Sequence, residues 1–497
     1  MLLFRFFSAL FFGALISACW LTQASAASGA LPGLPAAPPG NGTAVTEVHP
    51  VYLPLIVSLD GTSVMPPLPG IPRTNIPYFE NEILGAQTAI LWFGKVTPTE
   101  NSTDVRIGYN RGNLWVRVSV IDRRLWYDPK PSLTELTEWD AVSLYLNLDG
   151  RAGPFTAANT YRLDAQLNWW EAREPFQAAF QPSGGQWTIV PLPFTAWTKW
   201  WGFPQPNDDR DDRAWAVYYV IPFQSLGLGS APPQGTLWRL GVQVHDRDDA
   251  AGAPIPATTW PPAMQPETPA TWGQMHFGLP VFSPPDAGET QAITLRNGLN
   301  GAVVPDGVVG GNTECGYPVT DYWNEWGDRV YRNERDVNVQ NQGNTDDWPC
   351  FSKYYITFPL DSLPAGKVIV SAVLTLHQSG NATGFETDPP EALDSLIQVL
   401  LVEQDWDPAS LSWNNAPLPV DNVSRAWVGS DPAELGISRT WDVSQAAAWA
   451  YAAGQPLRLA LYSADFYGPH GKYFFSSTSD DYGGDFRPSL EVVVGSP

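Results

Sequence analysis

NLWVRVSVID (residues 113–122) and DAVSLYLNLD (residues 140–149) alternate apolar and polar side chains for most of their length. Because successive side chains of a β-strand point to opposite faces of its sheet, this period of two predicts strands with one buried face. Similar short stretches occur at residues 86–92, 161–167, 187–190, 215–221, 238–244, 354–358, 368–377, 397–402, 457–462 and 490–494. The 43 Gly and 48 Pro favour many turns between short strands. The sequence therefore predicts an all-β protein.

Segments rich in Pro and Gly divide the chain. We expect a signal peptide over 1–26, a Pro/Gly-rich linker over 27–75, a first β-sandwich over 76–282, a short linker over 283–292 and a second β-sandwich over 293–497. The alanine-rich stretch 443–453 is typical of a helix. The predicted fold class is thus two antiparallel, jelly-roll-like β-sandwich domains in series, with few short helices.

The charge balance excludes several classes of partner. A formal net charge of −23 opposes binding to nucleic acid or to anionic lipid, because both depend on clustered Lys and Arg. No stretch after residue 26 approaches the roughly 20 apolar residues that a transmembrane helix needs. We therefore expect no nucleic-acid partner and no transmembrane segment.

The first 26 residues have the pattern of an export signal. Arg5 precedes an apolar core over residues 6–18, and ASA (residues 24–26) is a small-residue cleavage site. ISAC (residues 16–19) also resembles a lipoprotein box, in which Cys19 would carry the lipid; the alternative is an incidental cysteine in the signal core. The prediction is a secreted, extracellular protein, with anchoring through Cys19 left open.

The two other cysteines are Cys315 and Cys350. In an oxidising compartment an isolated pair of this kind most often forms a structural disulfide. Loop-entropy reasoning gives this crosslink about 3–4 kcal/mol of stabilisation.

Tryptophan is the most unusual feature of the composition, at 23 residues. Indole offers a flat apolar face and one N–H donor, so it serves either as core filler or as a platform for a sugar ring. Adjacent pairs on a strand point to opposite faces, so one member of each pair should be exposed unless loop or helix geometry lets both pack. The candidate sugar contacts are Trp126, Trp169, Trp170, Trp200, Trp201 and, beside the first of them, Asp122. The tryptophans expected in the core are Trp115, Trp215, Trp238, Trp272, Trp413 and Trp441.

Acidic clusters offer oxygen ligands of the kind that calcium prefers. The candidate ligands are Asp208, Asp209, Asp246 and Asp248. None of the clusters matches the EF-hand loop, and solvated loop charge is the alternative interpretation. The sequence requires no cofactor and leaves calcium as an option.

A series of short motifs runs in order through the first region: NLWVRV (113–118), WYD (126–128), WDAVSLYLNLDG (139–150), residues 215–223, residues 237–246 and PATWG (269–273). On these motifs the first region resembles the family 9 carbohydrate-binding modules and their wider sandwich superfamily, which also contains haem-binding domains. The resemblance implies a sandwich that binds sugar. Haem binding is a further alternative, with His245, Met264, Met275 and His276 as conceivable axial ligands.

A second series of motifs follows in the C-terminal region: YYITFPLD (354–361), LPAG (363–366), VSAVLTL (370–376), LSWNNAP (411–417), WDVS (441–444), FFSST (474–478) and RPSL (487–490). On these motifs the second region resembles the DNRLRE domain, also classed as family 96 of the carbohydrate-binding modules. The stretch between Cys315 and Cys350 is longer than the usual opening of that family. The resemblance implies a second sandwich of carbohydrate-binding type.

Together these features predict a secreted, non-catalytic protein that binds extracellular polysaccharide by aromatic stacking. No nucleophile elbow, zinc-protease motif or phosphate loop is present in the sequence. Two carboxylates could still form a glycosidase site without any sequence pattern. The alternatives are a structural or adhesive cell-surface protein and, third, a polysaccharide-cleaving enzyme or a haem-binding sandwich.

Overall fold

The computed structural model describes residues 66–150, 155, 158–169, 171–202, 205–251, 254–311, 321–341, 351–382, 392–430, 436–465 and 468–497. The predicted signal peptide, Cys19, Trp170, Cys315 and Cys350 lie outside the described residues. Within these ranges, no helix combines the length and the apolar composition needed to cross a membrane.

The first fourteen strands form two sheets. In chain order they are β1 (Arg73–Ile76), β2 (Tyr78–Phe79), β3 (Ala89–Thr97), β4 (Glu100–Asn110), β5 (Asn113–Ile121), β6 (Ala141–Asn147), β7 (Thr160–Gln166), β8 (Gln177–Ser183), β9 (Gln186–Ile189), β10 (Thr195–Trp201), β11 (Ala214–Pro222), β12 (Leu237–Asp246), β13 (Ile255–Trp260) and β14 (Gly273–Phe277). Sheet 1 has the order β1-β14-β12-β6-β7-β8-β9, with β13 beside β12. Sheet 2 has the order β10-β11-β5-β4-β2, with β3 beside β4.

Because side chains alternate between the two faces of each strand, sheet 1 and sheet 2 each have an apolar face. These two faces pack on each other and form the first sandwich. The inward side chains of sheet 1 include Leu144 and Val242, and those of sheet 2 include Val118 and Trp215. All four are fully buried in one apolar cluster. Because the intervening residues point away from this core, each sheet also has an outer face.

The other eleven strands among the described residues form the second sandwich. They are β15 (Thr290–Arg296), β16 (Asp306–Val309), β17 (Asp336–Val339), β18 (Lys353–Phe358), β19 (Val368–Asn381), β20 (Ser395–Val402), β21 (Asp421–Val428), β22 (Ile437–Asp442), β23 (Leu457–Ser463), β24 (Lys472–Phe475) and β25 (Ser489–Gly495). Sheet 3 has the order β15-β25-β19-β24-β17, with β22 beside β19, and sheet 4 has the order β16-β18-β23-β20-β21. The described α-helices are α1 (Tyr322–Glu325) and α2 (Ser444–Ala452). Helix α2 packs on the second core through Ala446, Ala447 and Ala450.

The two sandwiches are joined by a third apolar cluster, which we call the junction. It fills the space between the outer faces of sheets 2 and 4 and contains Trp92 from β3, with Trp413 and Tyr462 from the second sandwich. The rings of Trp92 and Tyr462 meet edge-on, with centroids 5.3 Å apart. Trp413 Nε1 donates a hydrogen bond to Ser102 Oγ at 3.0 Å. The second sandwich therefore covers part of sheet 2.

A buried ion pair also links the sandwiches. Arg73 on β1 donates through Nη2 to Asp421 Oδ2 at 2.6 Å and through Nε to Asp421 Oδ1 at 3.2 Å. Asn75 donates to the same carboxylate through Nδ2 at 2.7 Å. Burial raises the pKa of Asp421, and the nearby Arg73 partly offsets this.

The prediction of an all-β chain with few short helices is confirmed. Two pairings depart from the antiparallel pattern, since β1 runs parallel to β14 and β2 runs parallel to β4. Five of the six tryptophans expected in the core are buried, and Trp115 is half-buried. The junction was not predicted from the sequence, and the domain boundaries stay a prediction.

Candidate functional site

One end of the first sandwich gathers most of the predicted site residues. The loops 122–140, 167–176, 202–213 and 247–254 follow or precede β5, β7, β10 and β12, and we call their described parts the loop end. The register places Ala141 opposite both Gln166 and His245, so the loops around these residues emerge side by side. Backbone hydrogen bonds tie them together, as from Leu167 N to Asp140 O at 2.8 Å and from Asn207 N to Leu125 O at 2.7 Å.

The predicted tryptophans at the loop end are half-buried. Trp169 and Trp200 meet edge-on with ring centroids 6.1 Å apart, and both pack against the first core. Trp201 points to the opposite face of β10 and lines a cavity at the junction. The backbone N–H of Trp126 donates to Asp140 Oδ2 at 2.7 Å. None of these four rings is fully exposed. Trp200 and Trp201 point to opposite faces of β10, and each is partly buried on its own face.

An acidic cluster lies at the same end. Asp122, Asp246 and Asp248 each offer a carboxylate oxygen, and these oxygens lie within 4.8 Å of one another. Asp246 is 6% exposed, and its Oδ1 has no hydrogen-bond partner among the described residues. A cavity of about 550 Å³ opens beside Asp246 and Asp248. This geometry could hold a cation that prefers oxygen ligands.

Electrostatics in the cluster favour a bound cation. Burial, reinforced by the charge of Asp248, raises the pKa of Asp246 to about 7. Burial and the neighbouring carboxylates also raise the pKa values of Asp122 and Asp140 well above their usual range. Since unfavourable burial of negative charge causes these shifts, a divalent cation would reverse them.

The other predicted calcium ligands are not part of this cluster. Asp208 accepts hydrogen bonds from Arg210. The Asp209 side chain is 86% exposed, with Oδ1 3.7 Å from Arg124 Nη1. Asp122, which the sequence placed among the sugar contacts, instead joins Asp246 and Asp248 and also accepts a hydrogen bond from Trp215 Nε1 at 3.2 Å.

The outer face of sheet 1 carries a hydrogen-bonded network that the sequence did not reveal. Ser143 Oγ donates to Asp164 Oδ1 at 2.7 Å and lies 3.0 Å from His245 Nε2. Because the hydroxyl has one proton and the carboxylate can only accept, His245 Nε2 donates to Ser143 and Nδ1 is left as an acceptor. Arg162 holds Asp164 through Nε and Nη2. Burial lowers the pKa of His245 to about 4, so its imidazole is neutral near pH 7.

Aromatic side chains flank this network. We call the network and these aromatic side chains together the sheet 1 surface. Trp187 on β9 is half-buried and meets Tyr145 with ring centroids 5.8 Å apart. Tyr145 donates to Gln243 Oε1 at 2.7 Å. The half-buried Arg162, Gln243 and His245 keep Nη1, Nε2 and Nδ1 without a hydrogen bond to any described residue. Donors and an acceptor in fixed positions beside flat rings can orient a polar, ring-shaped ligand.

A signal for this surface was present in the sequence. In DAVSLYLNLD the residues between the core positions, Ser143, Tyr145 and Asn147, are polar or amphipathic. All three are nevertheless buried, so the accessible groups of this surface are the half-buried Arg162, Trp187, Gln243 and His245 on other strands of the sheet. His245, one of the conceivable haem ligands, places Nε2 3.0 Å from Ser143 Oγ. The other such histidine, His276, places Nδ1 3.0 Å from the carbonyl oxygen of Gly278.

Comparisons with known proteins find only partial structural matches at low identity. No protein-family model matches this chain, and no curated protein matches it. A family 9 carbohydrate-binding module from Caldicellulosiruptor kristjanssonii, solved with cellotriose, is 14% identical, with a TM-score of 0.29; the match covers 41% of this chain and 93% of the module. The same kind of module solved with glucose is 17% identical with a TM-score of 0.29, over 43% of this chain and 100% of the module.

Proposed function

We propose that this protein is a secreted, non-catalytic carbohydrate-binding protein, and that the sheet 1 surface holds the sugar. The observation that carries the proposal is the half-buried ring of Trp187 on the same sheet face as three polar atoms, on Arg162, Gln243 and His245, that have no hydrogen-bond partner among the described residues. Sugars present C–H faces to aromatic rings and hydroxyls to donors and acceptors at the same time. A surface that fixes both kinds of group therefore suits them.

The rigidity of the surface supports the same proposal. The salt bridge between Arg162 and Asp164 and the hydrogen bond from Ser143 to Asp164 hold the polar groups on three adjacent central strands. Binding then costs little ordering of side chains. The predicted tryptophans Trp126, Trp169 and Trp200 lie at the loop end, and we keep them as a second candidate surface for an extended polysaccharide.

Affinity electrophoresis on a panel of soluble polysaccharides tests the proposal. Trp187→Ala removes the ring and should weaken binding roughly 30-fold, as expected for a contact worth about 2 kcal/mol. Gln243→Leu should also weaken binding. The matched control is Trp427→Ala on β21, because this tryptophan is 53% exposed and lies on the second sandwich.

The other outcomes separate the competing functions. Loss of binding in Trp126→Ala or Trp200→Ala, with Trp187→Ala unchanged, would move the site to the loop end. No binding on any polysaccharide would overturn the proposal in favour of a structural or adhesive protein. Release of reducing or unsaturated ends would establish an enzyme, and a Soret band would establish haem.

We further propose that the acidic cluster binds calcium and fixes the loop end. Asp122, Asp246 and Asp248 are the ligands that this chain supplies. The Oδ1 atom of the buried Asp246, which has no hydrogen-bond partner in the part of the chain that the structure describes, supports this assignment. Calcium titration in a calorimeter, with Asp246→Asn as the variant that should not bind, is the direct test.

A further inference from the structure

The acidic cluster of Asp122, Asp246 and Asp248 borders a cavity that is large enough for a small molecule. Asp246 and Asp248 line this cavity of about 550 Å³, whereas Asp122 is 1% exposed and is not among its described lining residues. The volume lies within the range of roughly 300–1,000 Å³ that is usual for small-ligand clefts. A cation held by the three carboxylates would therefore have protein on the side of Asp122 and the cavity on the side of the other two.

The three carboxylates alone do not complete a calcium site. Calcium takes about 6–8 oxygen ligands. Asp122 accepts a hydrogen bond on each of its oxygens, on Oδ1 from Arg124 N at 3.1 Å and on Oδ2 from Trp215 Nε1 at 3.2 Å, which disfavours its binding a cation through both. With Asp122 bound through one oxygen, the three carboxylates cannot fill even the smallest of these coordination shells. Positions on the side of the cavity are thus left for oxygens from elsewhere.

Polar groups without a hydrogen-bond partner lie on residues that line the same cavity. Asn101 is 4% exposed and its side chain lowers the pKa of Asp246, yet its Nδ2 forms no hydrogen bond of ordinary geometry with a described residue. Thr258 Oγ1 on β13 and Asp246 Oδ1 are likewise buried without a partner in the described part of the chain. Buried polar atoms are rarely left unsatisfied. A donor, a hydroxyl and an acceptor beside one cavity indicate a ligand that is rich in hydroxyl groups.

The charge of the cavity favours a neutral ligand. Its described lining residues include Glu100, Asp246, Asp248 and Asp249 but no Lys or Arg. Asp122 adds a further carboxylate behind the cation position. A single divalent cation cannot neutralise all of these groups, so a ligand that itself carried a carboxylate would meet like charge.

We propose that a neutral sugar binds in this cavity and completes the coordination of the calcium ion with two vicinal hydroxyl groups. The proposal rests on the calcium site proposed above and names the ligand of that site. Adjacent hydroxyls of a sugar ring place two oxygens close enough together for one cation to bind both. Asn101 and Thr258 would bind further hydroxyls of the same ring. Sugar binding in this cavity therefore requires calcium, whereas binding at the sheet 1 surface does not.

Calorimetric titration of calcium into the full chain, with and without a sugar, tests the proposal. Because the coupling between two ligands is reciprocal, a sugar that binds the calcium ion must lower the Kd for calcium. The probes are methyl α-mannoside and methyl β-galactoside, and we expect one or both to lower this Kd roughly fivefold or more at saturating concentration. The control polyol is 1,3-propanediol at the same concentration, which has no vicinal hydroxyls and should leave the Kd unchanged.

A threonine variant and its control locate the sugar. Thr258→Val removes a hydroxyl that has no described partner, and it should reduce the fivefold effect of the sugar to about twofold or less. Because the readout is the ratio of two Kd values for the same variant, any change in calcium affinity itself cancels. Thr290→Val is the control, since Thr290 is exposed on β15 of the second sandwich and should keep the full ratio. A full ratio in Thr258→Val as well, or a larger effect of methyl glucuronoside than of the neutral sugars, would contradict the proposal.

The titration without sugar separates this proposal from the one on which it rests. If calcium binds and neither probe sugar changes its Kd, the sugar ligand is overturned and the calcium site stands. If calcium does not bind, the calcium site itself is overturned, and the sugar ligand with it. Polysaccharide binding that persists in chelator reports on the sheet 1 surface and is independent of both outcomes.

Discussion

Among the individual residues, the clustered carboxyl groups of Asp122, Asp140, Asp246 and Asp248 make the free energy of unfolding depend on pH. Each pKa is raised first by burial. For Asp246 the folded-state pKa of about 7 lies above the unfolded value of 3.8. Between these values the folded protein keeps a proton that the unfolded chain has lost, so raising the pH through this window favours unfolding.

We therefore expect Tm in chelator to fall as the pH rises from about 5 to 8. Calcium should offset this loss, by about 2.7 kcal/mol at a hundredfold excess over Kd, and its effect should be larger at the higher pH because binding requires deprotonated ligands. Scanning fluorimetry with calcium and with chelator measures both effects. Asp246→Asn should remove most of the calcium effect and Asp209→Asn should not; an equal effect in both variants would contradict the assignment.

Among the single elements, the hairpin of β3 and β4 places Trp92 in the junction. The geometry of this hairpin depends on one glycine. Gly94 has φ +80°, and a Cβ at this position would lie 2.0 Å from the carbonyl oxygen of Asn101. The register shifts between Gly94 and Thr97, as in a β-bulge. The bulge therefore requires the absence of a side chain at Gly94.

Gly94→Ala should cost more stability than the same change at Gly184, which also has a positive φ but no atom within 4 Å of an added Cβ. At Gly184 only the left-handed backbone opposes the substitution, at about 1 kcal/mol. At Gly94 the clash adds to that strain, and we expect roughly 2–4 kcal/mol in total. Urea unfolding of the two variants gives the comparison, and equal costs would show that the hairpin relaxes around the new methyl group.

The strands that were predicted from the sequence and those that were missed differ in the side chains on their two faces. β5 alternates because one face is in the core, and its pattern was recognised at once. β10 has large aromatic residues on both faces, since Trp200 packs inward while Trp197 and Trp201 face the other way, so no period of two is visible. The acidic cluster was predicted only in part, because Asp122 and Asp246 are far apart in sequence and meet through the order of the strands.

In the complete fold, the two sandwiches are held together by the junction and by the ion pair between Arg73 and Asp421. Arg73→Met leaves the Asp421 charge buried without its partner, so we expect a loss of about 3–5 kcal/mol. Arg458→Met is the matched control: Arg458 pairs with Asp405, whose side chain is 85% exposed, and this should cost at most about 1 kcal/mol. Equilibrium unfolding in denaturant measures both. A double variant Arg73→Met/Asp421→Leu should recover part of the loss, and additive costs would argue against the pairing.

The junction also affects whether either sandwich could be separated from the other and moved into another protein. A protein cut between Phe277 and Thr290 would leave Trp92 on one fragment, and Trp413 and Tyr462 on the other, facing water. Such fresh apolar patches invite self-association. Each half is thus shaped to its neighbour, and grafting one of them elsewhere would require a new polar surface in place of those rings.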